Sequence, residues 1–292
     1  MELKSLRIRN YRSIAEEQNL DIRPRLTLVG PNNSGKTNVL GAIRLLFTGF
    51  DNIYGYTRDR DLTFGKGREQ TTLVATFECD EERDKQHLER YNRILSLYQP
   101  PRRHEPGTIV LQLIFSSAGN PIYRLSPDNT SRLPRDQRSA HSRLLHELVD
   151  GIIGSTRIHY VPSSISSEQL FKELVSPLVK QAVSNKLKKE ISALQGALVD
   201  VSSEISESIR SVGLEDLSIG LGLRDPEEGD FLSDFDVSLA DPRRTPAVDK
   251  GRGIQALAMF ACFAWLARQE QLTGINSIWL IEEPESFLHP SL

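Results

Sequence analysis

Leu6 and Ile8 alternate with Arg7 and Arg9 near the start of the chain, the period of a half-buried strand. A second strand is expected over Asn19–Ile22. Beyond Pro24, Leu26-Thr27-Leu28-Val29 is a short apolar run bounded by turn residues, the pattern of a buried central strand. From Thr37 to Phe47 the spacing becomes helical: Val39, Leu40, Ile43, Leu46 and Phe47 share one face, and Gly49 is a stop. Thr71–Phe77, Thr108–Phe115 and Pro121–Leu125 predict three strands, the last two joined by the turn Ser116–Asn120. Tyr98–Gly107 and Ser126–Arg135 are loops by their prolines. A helix containing Leu144, Leu145, Leu148 and Val149 is expected to stop near Gly151, and a strand follows at Arg157–Val161.

The next stretch changes character. Leu178 to Val212 holds no proline and one glycine, Gly196, and predicts a long helix. Leu187, Ile191, Leu194, Leu198, Val201 and Ile205 fall at heptad spacing. That spacing fits a seam against a partner helix and equally an amphipathic helix on its own domain. Strands are expected at Ser218–Leu223 and Asp234–Leu239, split by the acidic loop Asp225–Asp230, then a helix over Gly253–Gln269 and a last apolar strand, Ile275–Ile281. Strands and helices alternate at both ends around an antiparallel-looking group. The expected class is an α/β core with a β-rich side and a helical insertion.

Composition narrows the class little. The 292 residues carry 36 Lys+Arg against 39 Asp+Glu, a net charge of −3, so no global basic charge announces nucleic acid or a membrane surface. With 38% hydrophobic residues, disorder and low-complexity classes are out. Cys79 and Cys262 are too few for a disulfide framework, which suits a reducing cytoplasm. The longest run without a polar residue, Ala256–Ala267, is shorter than the roughly 20 residues a spanning helix needs, and Met1–Asn10 lacks the apolar core of a signal peptide.

Chemistry enters at Gly30-Pro31-Asn32-Asn33-Ser34-Gly35-Lys36-Thr37, which fits G-x-x-x-x-G-K-[ST] fully. The glycines let the backbone curl so that successive N–H groups, through Asn32, Asn33, Ser34 and on to Asn38, face a phosphate. Lys36 reaches the β- and γ-phosphates, the Thr37 hydroxyl ligates Mg²⁺, and the helix that starts here aims its positive dipole end at the anion. An apolar strand before the loop and a helix after it supply the context the motif requires.

Far downstream, Ile278-Trp279-Leu280-Ile281-Glu282-Glu283 is an apolar strand ending in two acids. In a Walker B arrangement the first acid, Glu282, serves the metal, and the second, Glu283, polarises the attacking water. The wide gap between the two motifs excludes compact GTPases and kinases unless an insertion intervenes, and the heptad helix is such an insertion. Between them, Lys250-Gly251-Arg252-Gly253-Ile254-Gln255 opens an apolar helix whose first amides could meet a phosphate; the same residues also serve as a plain helix-initiating turn.

The order of these parts resembles the ABC-type ATPase heads of the SMC/RecF group, and most closely the OLD (overcoming lysogenization defect) family. Leu6 to Ser13 is similar to that group's opening strand and N-F-R-S turn. GPNNSGKTN is similar to its Walker A, Ile158-His159-Tyr160-Val161-Pro162 to the OLD strand before its arm, and Gly251 to Gln255 to its reduced signature. Ile281-Glu282-Glu283-Pro284-Glu285-Ser286-Phe287-Leu288-His289-Pro290 is similar to I-E-E-P-E-x-x-L-H-P. The resemblance implies a P-loop ABC-type head, a mixed core sheet plus an antiparallel β lobe, with an inserted helical or coiled-coil arm. Residues 1–165 would form its first part, 166–213 the arm, and 214–292 the signature and Walker B part.

The resemblance also implies ATP and Mg²⁺ as cofactors, Lys36 and Glu283 as catalytic residues, and Thr37 and Glu282 at the metal. Arg12 would lie near the nucleotide. Gly251, Gly253 and Gln255 would face the γ-phosphate of a second copy, the heads closing ATP between two chains. The function implied is ATP hydrolysis controlling a DNA-directed, nuclease activity in anti-phage defence. The alternatives are a nucleotide-sensing scaffold with little turnover and a RecF-like DNA-repair ATPase; a transporter subunit is disfavoured by the Asn10–Ser13 turn.

The chain departs from the pattern in places. Gly251-Arg252-Gly253 lacks the signature serine, Glu282 stands where many ABC heads have Asp, and no glutamine is assignable to the Q-loop. The chain stops at Leu292, soon after Leu288-His289-Pro290, which leads us to expect a head incomplete after Walker B and a Toprim nuclease or switch histidine supplied elsewhere. Among smaller features, His289 is read as a turn residue and the Asp225, Glu227, Glu228 and Asp230 group as a solvated loop. Arg132, Arg135, Arg138 and Arg143 offer a basic stretch for a nucleic-acid backbone. Met259, Phe260, Phe263 and Trp265 are expected in a core or interface, and no zinc spacing is present.

Overall fold

The structure is a computed structural model and describes residues 1–22, 25–99, 105–126, 133–164, 166–211, 238–241, 243–246 and 249–284. The elements run β1 (Glu2–Arg9), β2 (Gln18–Asp21), α1 (Lys36–Leu46), α2 (Arg58–Asp61), β3 (Thr72–Glu78), α3 (Lys85–Ser96), β4 (Thr108–Phe115) and β5 (Pro121–Leu125). They continue with α4 (Arg138–Gly154), β6 (Thr156–Val161), α5 (Ser167–Leu170), α6 (Ser176–Lys186), α7 (Lys188–Ser211), β7 (Ser238–Asp241), β8 (Arg243–Pro246), α8 (Arg252–Leu272) and β9 (Asn276–Ile281).

Five strands form one antiparallel sheet in the order β2-β1-β3-β4-β5. Leu6 and Ile8 are fully buried and register against Ala75 and Leu73, while Arg7 and Arg9 face solvent, as their alternation predicts. Leu3 is buried too although it lies three residues before Leu6. A bulge between Leu3 and Ser5 shifts the register by one and returns Leu3 to the inner face. β4 is apolar nearly throughout because helices cover it: Tyr91, Ile94 and Leu95 of α3 and Leu144, Leu148 and Ile152 of α4 join its core. Ala42, Ile43, Leu45 and Leu46 bring α1 into the same core.

Gly151 does not end its helix; α4 runs on to Gly154. A Cβ at Gly151 would sit 2.9 Å from the His87 ring and 3.2 Å from Arg90, so this glycine is there to let α3 lie close. The long helix expected over Leu178–Val212 is two helices, α6 and α7. Leu187 leaves helical geometry at ψ 14° and its amide bonds the carbonyls of Val183 and Ser184. Along α7 the heptad positions split: Ile191 is buried, Leu194 and Val201 are 47% and 43% exposed, and the side chain of Ile205 lies outside the described residues.

Leu26–Val29 is not a strand. Its residues make no ladder among the described residues, and Val29 is 91% exposed. An apolar run reads as a central strand only where partners supply its hydrogen bonds. The expected strand Ser218–Leu223, the acidic loop 225–230, Arg132 and His289 lie outside the described residues. Of the aromatic group on α8, Met259 and Phe263 are buried and Trp265 is 37% exposed.

The chain divides into two compact units. One comprises Met1–Tyr160 with Gln269–Glu282; the other comprises Val161–Arg268 with Glu283–Leu292. In the first unit β6 and β9 form a two-stranded sheet. They meet at their starts, where the Asn276 amide donates to the Ser155 carbonyl (2.8 Å), and at their ends, where the Tyr160 phenol hydrogen-bonds Glu282. The two strands therefore run the same way, and the carboxyl ends of such strands are where α/β proteins place their ligands. Among the described residues of the second unit, Val161, Leu170, Val175, Ile191, Met259, Phe263 and Leu266 are buried apolar side chains.

Candidate nucleotide site

The loop Gly30–Gly35 takes its shape from two left-handed residues, Asn33 (φ 67°) and Gly35 (φ 92°). Asparagine tolerates this region and glycine occupies it without strain. Gly35 also has no room for a side chain, since a Cβ would meet Ser13 Oγ at 3.1 Å. It caps α1, whose first backbone bond runs from the Val39 amide to the Gly35 carbonyl (3.1 Å). The amides of Lys36, Thr37 and Asn38 therefore have no helical carbonyl behind them and are donors for an anion. No acidic residue occupies this first turn, and the Thr37 hydroxyl is exposed beside it. The Lys36 ammonium donates to the carbonyls of Gly30 (2.7 Å) and Pro31 (2.9 Å), across the loop it would serve.

The turn after β1 packs against this helix. Asn10 (φ 53°) and Arg12 (φ 48°) are both left-handed, and Tyr11 is held between them by paired bonds with Ile14 (3.0 and 2.8 Å). Arg12 donates from Nε to Asp61 Oδ1 (2.8 Å) and from Nη1 to Asn38 Oδ1 (3.5 Å), while Asn38 Nδ2 donates to Ser13 Oγ (2.7 Å). Gly41 admits Tyr11: a Cβ there would lie 2.9 Å from its hydroxyl. Asp61 is buried, and burial pushes its carboxyl up. Hydrogen bonds from Arg60, the Thr57 amide and Arg12 outweigh that and leave it below the usual carboxylate range. Burial, with Asp61 nearby, raises the Tyr11 phenol to about 12 despite Arg12.

Glu282 lies at the end of β9, and Tyr160, at the end of β6, bonds it. The Arg44 guanidinium of α1 sits over the Tyr160 ring at 5.2 Å and over Tyr54 at 4.6 Å. Burial and then the Glu282 carboxylate raise the Tyr160 phenol to about 12, against the pull of Arg44 and Arg12. Arg44 of the P-loop helix, Tyr160 and Glu282 thus form one connected group, and Arg12 bonds Asn38 on the same helix.

Behind it, His159 Nε2 lies 2.9 and 3.0 Å from the two oxygens of Glu270, which Ser277 also hydrogen-bonds, and the His159 ring stacks on Trp279 at 4.2 Å. This buried set ties β6 and β9 to the end of α8. Burial raises the Glu270 carboxyl, but His159, Ser277 and Arg157 together hold it below the usual range.

Glu283 follows in the second unit, exposed and left-handed at φ 44°. In that unit Gly251 precedes α8, and its carbonyl accepts the amides of Ile254 (3.0 Å) and Gln255 (3.2 Å). Gln255 folds back so that Nε2 donates to the Lys250 carbonyl (2.8 Å). Its side chain here fastens the helix start.

A model of the AAA ATPase domain family matches residues 1–95, from β1 through the P-loop into α3. The OLD nuclease of Thermus scotoductus is 20% identical over 297 aligned positions, which cover 99% of this chain and 54% of that protein. The DNA replication and repair protein RecF of Gloeobacter violaceus is 38% identical over 78 residues, 27% of this chain and 20% of that one. A solved Smc head, bound to the C-winged helix domain of ScpA, superposes with a TM-score of 0.51 at 16% identity, covering 99% of this chain and 82% of that one. The chain has the fold of an Smc-type ATPase head, and its first third matches the AAA ATPase domain. It spans about half the length of the OLD nuclease it matches.

The oxygen groups expected at Mg²⁺ are the Thr37 hydroxyl, exposed in the first turn of α1, and the Glu282 carboxylate, which follows β9. Among the described residues no group of three or more His, Cys, Asp or Glu gathers anywhere. No helix of the described residues is long and apolar enough to cross a membrane. Tyr160, Arg44 and Asp61 carried no motif signal; Tyr160 lay inside a quoted segment but had no role to suggest it.

Proposed function

We propose that this head binds ATP with Mg²⁺ and hydrolyses it in the cytoplasm, and that nucleotide-driven pairing of two heads controls a DNA-directed nuclease carried elsewhere, in anti-phage defence. The observation that carries the nucleotide assignment is the connected group running from the P-loop helix through Arg44 and Tyr160 to Glu282. The α1 amides and Lys36 would hold the β- and γ-phosphates, and Arg12, fixed by Asp61, would add a positive charge at the rim. Mg²⁺, held by Thr37 and Glu282, supplies charge neutralisation between phosphate oxygens. Glu283 would orient the attacking water and accept its proton. Gly251 and Gly253 would approach the phosphate of a second copy. Among the described residues, a Cβ at Gly251 would meet nothing within 4 Å.

The test is nucleotide binding and turnover by the purified chain, with DNA present and absent. Lys36→Ala should weaken ATP binding about 100-fold, and Glu283→Gln should abolish turnover while keeping binding. Lys36→Ala with unaltered binding would sink the assignment. The missing signature serine favours a second reading, a nucleotide-sensing scaffold, which predicts binding with a turnover that Glu283→Gln leaves unchanged.

A further inference from the structure

Tyr160 and Glu282 end two neighbouring strands, and the phenol of one bonds the carboxylate of the other. We propose that Tyr160 is a positioning residue for Glu282, aiming that acid at the metal of the nucleotide site. The inference rests on the ATP–Mg²⁺ reading above and deepens it.

Three observations converge. First, the donor is held in place from outside: Arg44 lies over the Tyr160 ring at 5.2 Å and is itself backed by the Tyr54 ring at 4.6 Å. A ring gripped between cation and strand keeps its hydroxyl in one direction. Second, the strands beneath are locked by His159, Glu270, Ser277 and Trp279, so the ends of β6 and β9 keep a fixed spacing. Third, Arg44 belongs to α1, the helix that begins with Lys36 and Thr37. The ring therefore spans the two elements that would share the metal.

A phenol can donate one proton, so Tyr160 occupies one carboxylate lone pair of Glu282 and leaves others for a cation. Such a neighbour sets the direction and basicity of a ligating acid, and its loss commonly weakens metal affinity by tenfold or more. Arg44 over the Tyr160 ring limits how far the ring can turn without losing a favourable contact.

The experiment titrates Mg²⁺ into the purified chain with a fluorescent, slowly hydrolysed ATP analogue and reads bound analogue, not turnover. Tyr160→Phe keeps the ring over Arg44 and removes only the hydroxyl. We expect its half-saturating Mg²⁺ concentration to rise about tenfold, with binding in EDTA unchanged. In a Glu282→Gln background the same substitution should add less than about twofold, because the two residues act through one contact. A Tyr160→Phe midpoint within twofold of the parent overturns the proposal. So does a full shift that persists in the Glu282→Gln chain, or an equal loss of binding in EDTA. A parent chain that binds no analogue under any condition overturns the nucleotide reading as well.

Discussion

Arg12 and Asp61 are joined twice: the Arg12 amide donates to the Asp61 carbonyl at 2.8 Å, and Arg12 Nε donates to the Asp61 carboxylate at 2.8 Å. Backbone and side chain of one residue are thus both committed to the same partner, which holds Arg12 in its left-handed conformation. Asp61 is 1% exposed, and Arg60 and the Thr57 amide bond it too. Asp61→Ala should lower stability by about 2–3 kcal/mol, read as a fall in the urea midpoint, because three donors lose a charged acceptor. A midpoint equal to the parent's would show that the pair is ornamental.

Gly35 and Gly55 have similar left-handed backbones, at φ 92° and 64°, but different surroundings. A Cβ at Gly55 meets nothing within 4 Å, whereas one at Gly35 meets Ser13 Oγ at 3.1 Å. Both alanine substitutions should cost about 1–2 kcal/mol of stability through the backbone alone. Only Gly35→Ala should also weaken ATP binding, by about tenfold or more, since it moves the turn of Ser13 and Asn38 against the loop. Parallel binding and unfolding curves for the two variants separate the effects.

Glu270 sets a pH dependence. Its folded carboxyl titrates below the usual range, so its stabilisation is complete above the unfolded value near pH 4.3 and is lost as the pH falls through the lower folded one. Asp61 acts in the same sense. Glu270→Gln should therefore be less stable than the parent at pH 7 by about 2 kcal/mol and lose less on acidification. Urea midpoints from pH 7 to pH 3 that stay parallel for the two proteins would contradict this.

Tyr123 closes the far end of α1. Its hydroxyl donates to the Leu46 carbonyl (2.9 Å) and accepts the Gly49 amide (3.1 Å), both away from solvent. Tyr123→Phe should cost about 1–3 kcal/mol by leaving two backbone groups unsatisfied. ATP binding should stay within about twofold, because the phosphate end of the helix is untouched. Calorimetric melting beside a binding titration checks both halves.

The strands of the antiparallel sheet were legible because each carries its own period: Thr108–Phe115 and Pro121–Leu125 coincide with β4 and β5. The P-loop helix was legible for a different reason, since chemistry fixes its start at Lys36. α3 escaped notice because Lys85–Ser96 is mostly polar and shows only Leu88, Tyr91, Ile94 and Leu95 to the core. Gly151 misled because a glycine that ends a helix and one that admits a neighbour are identical in a sequence. Leu26–Val29 misled because pairing partners, not apolar content, decide whether such a run becomes a strand.

For the candidate site, the expectation of Gly30–Asn38 and Glu282 comes from motif spacing. Asp61, Arg44 and Tyr160 could not, because they matter through contacts made across 49, 116 or 122 positions of chain, as Arg12 with Asp61, Arg44 with Tyr160, and Tyr160 with Glu282 do (roughly, loop closure makes such pairings invisible to local pattern).

The Lys36 ammonium rests on the carbonyls of Gly30 and Pro31. Any incoming anion must therefore compete with two charged hydrogen bonds already made inside the loop, each worth about 1.5–3 kcal/mol. A chloride or a lone monoanion offers too little in exchange, while a triphosphate can replace both bonds and recruit the helix amides besides. The loop screens its ligands by the charge they bring before any contact with base or sugar has formed.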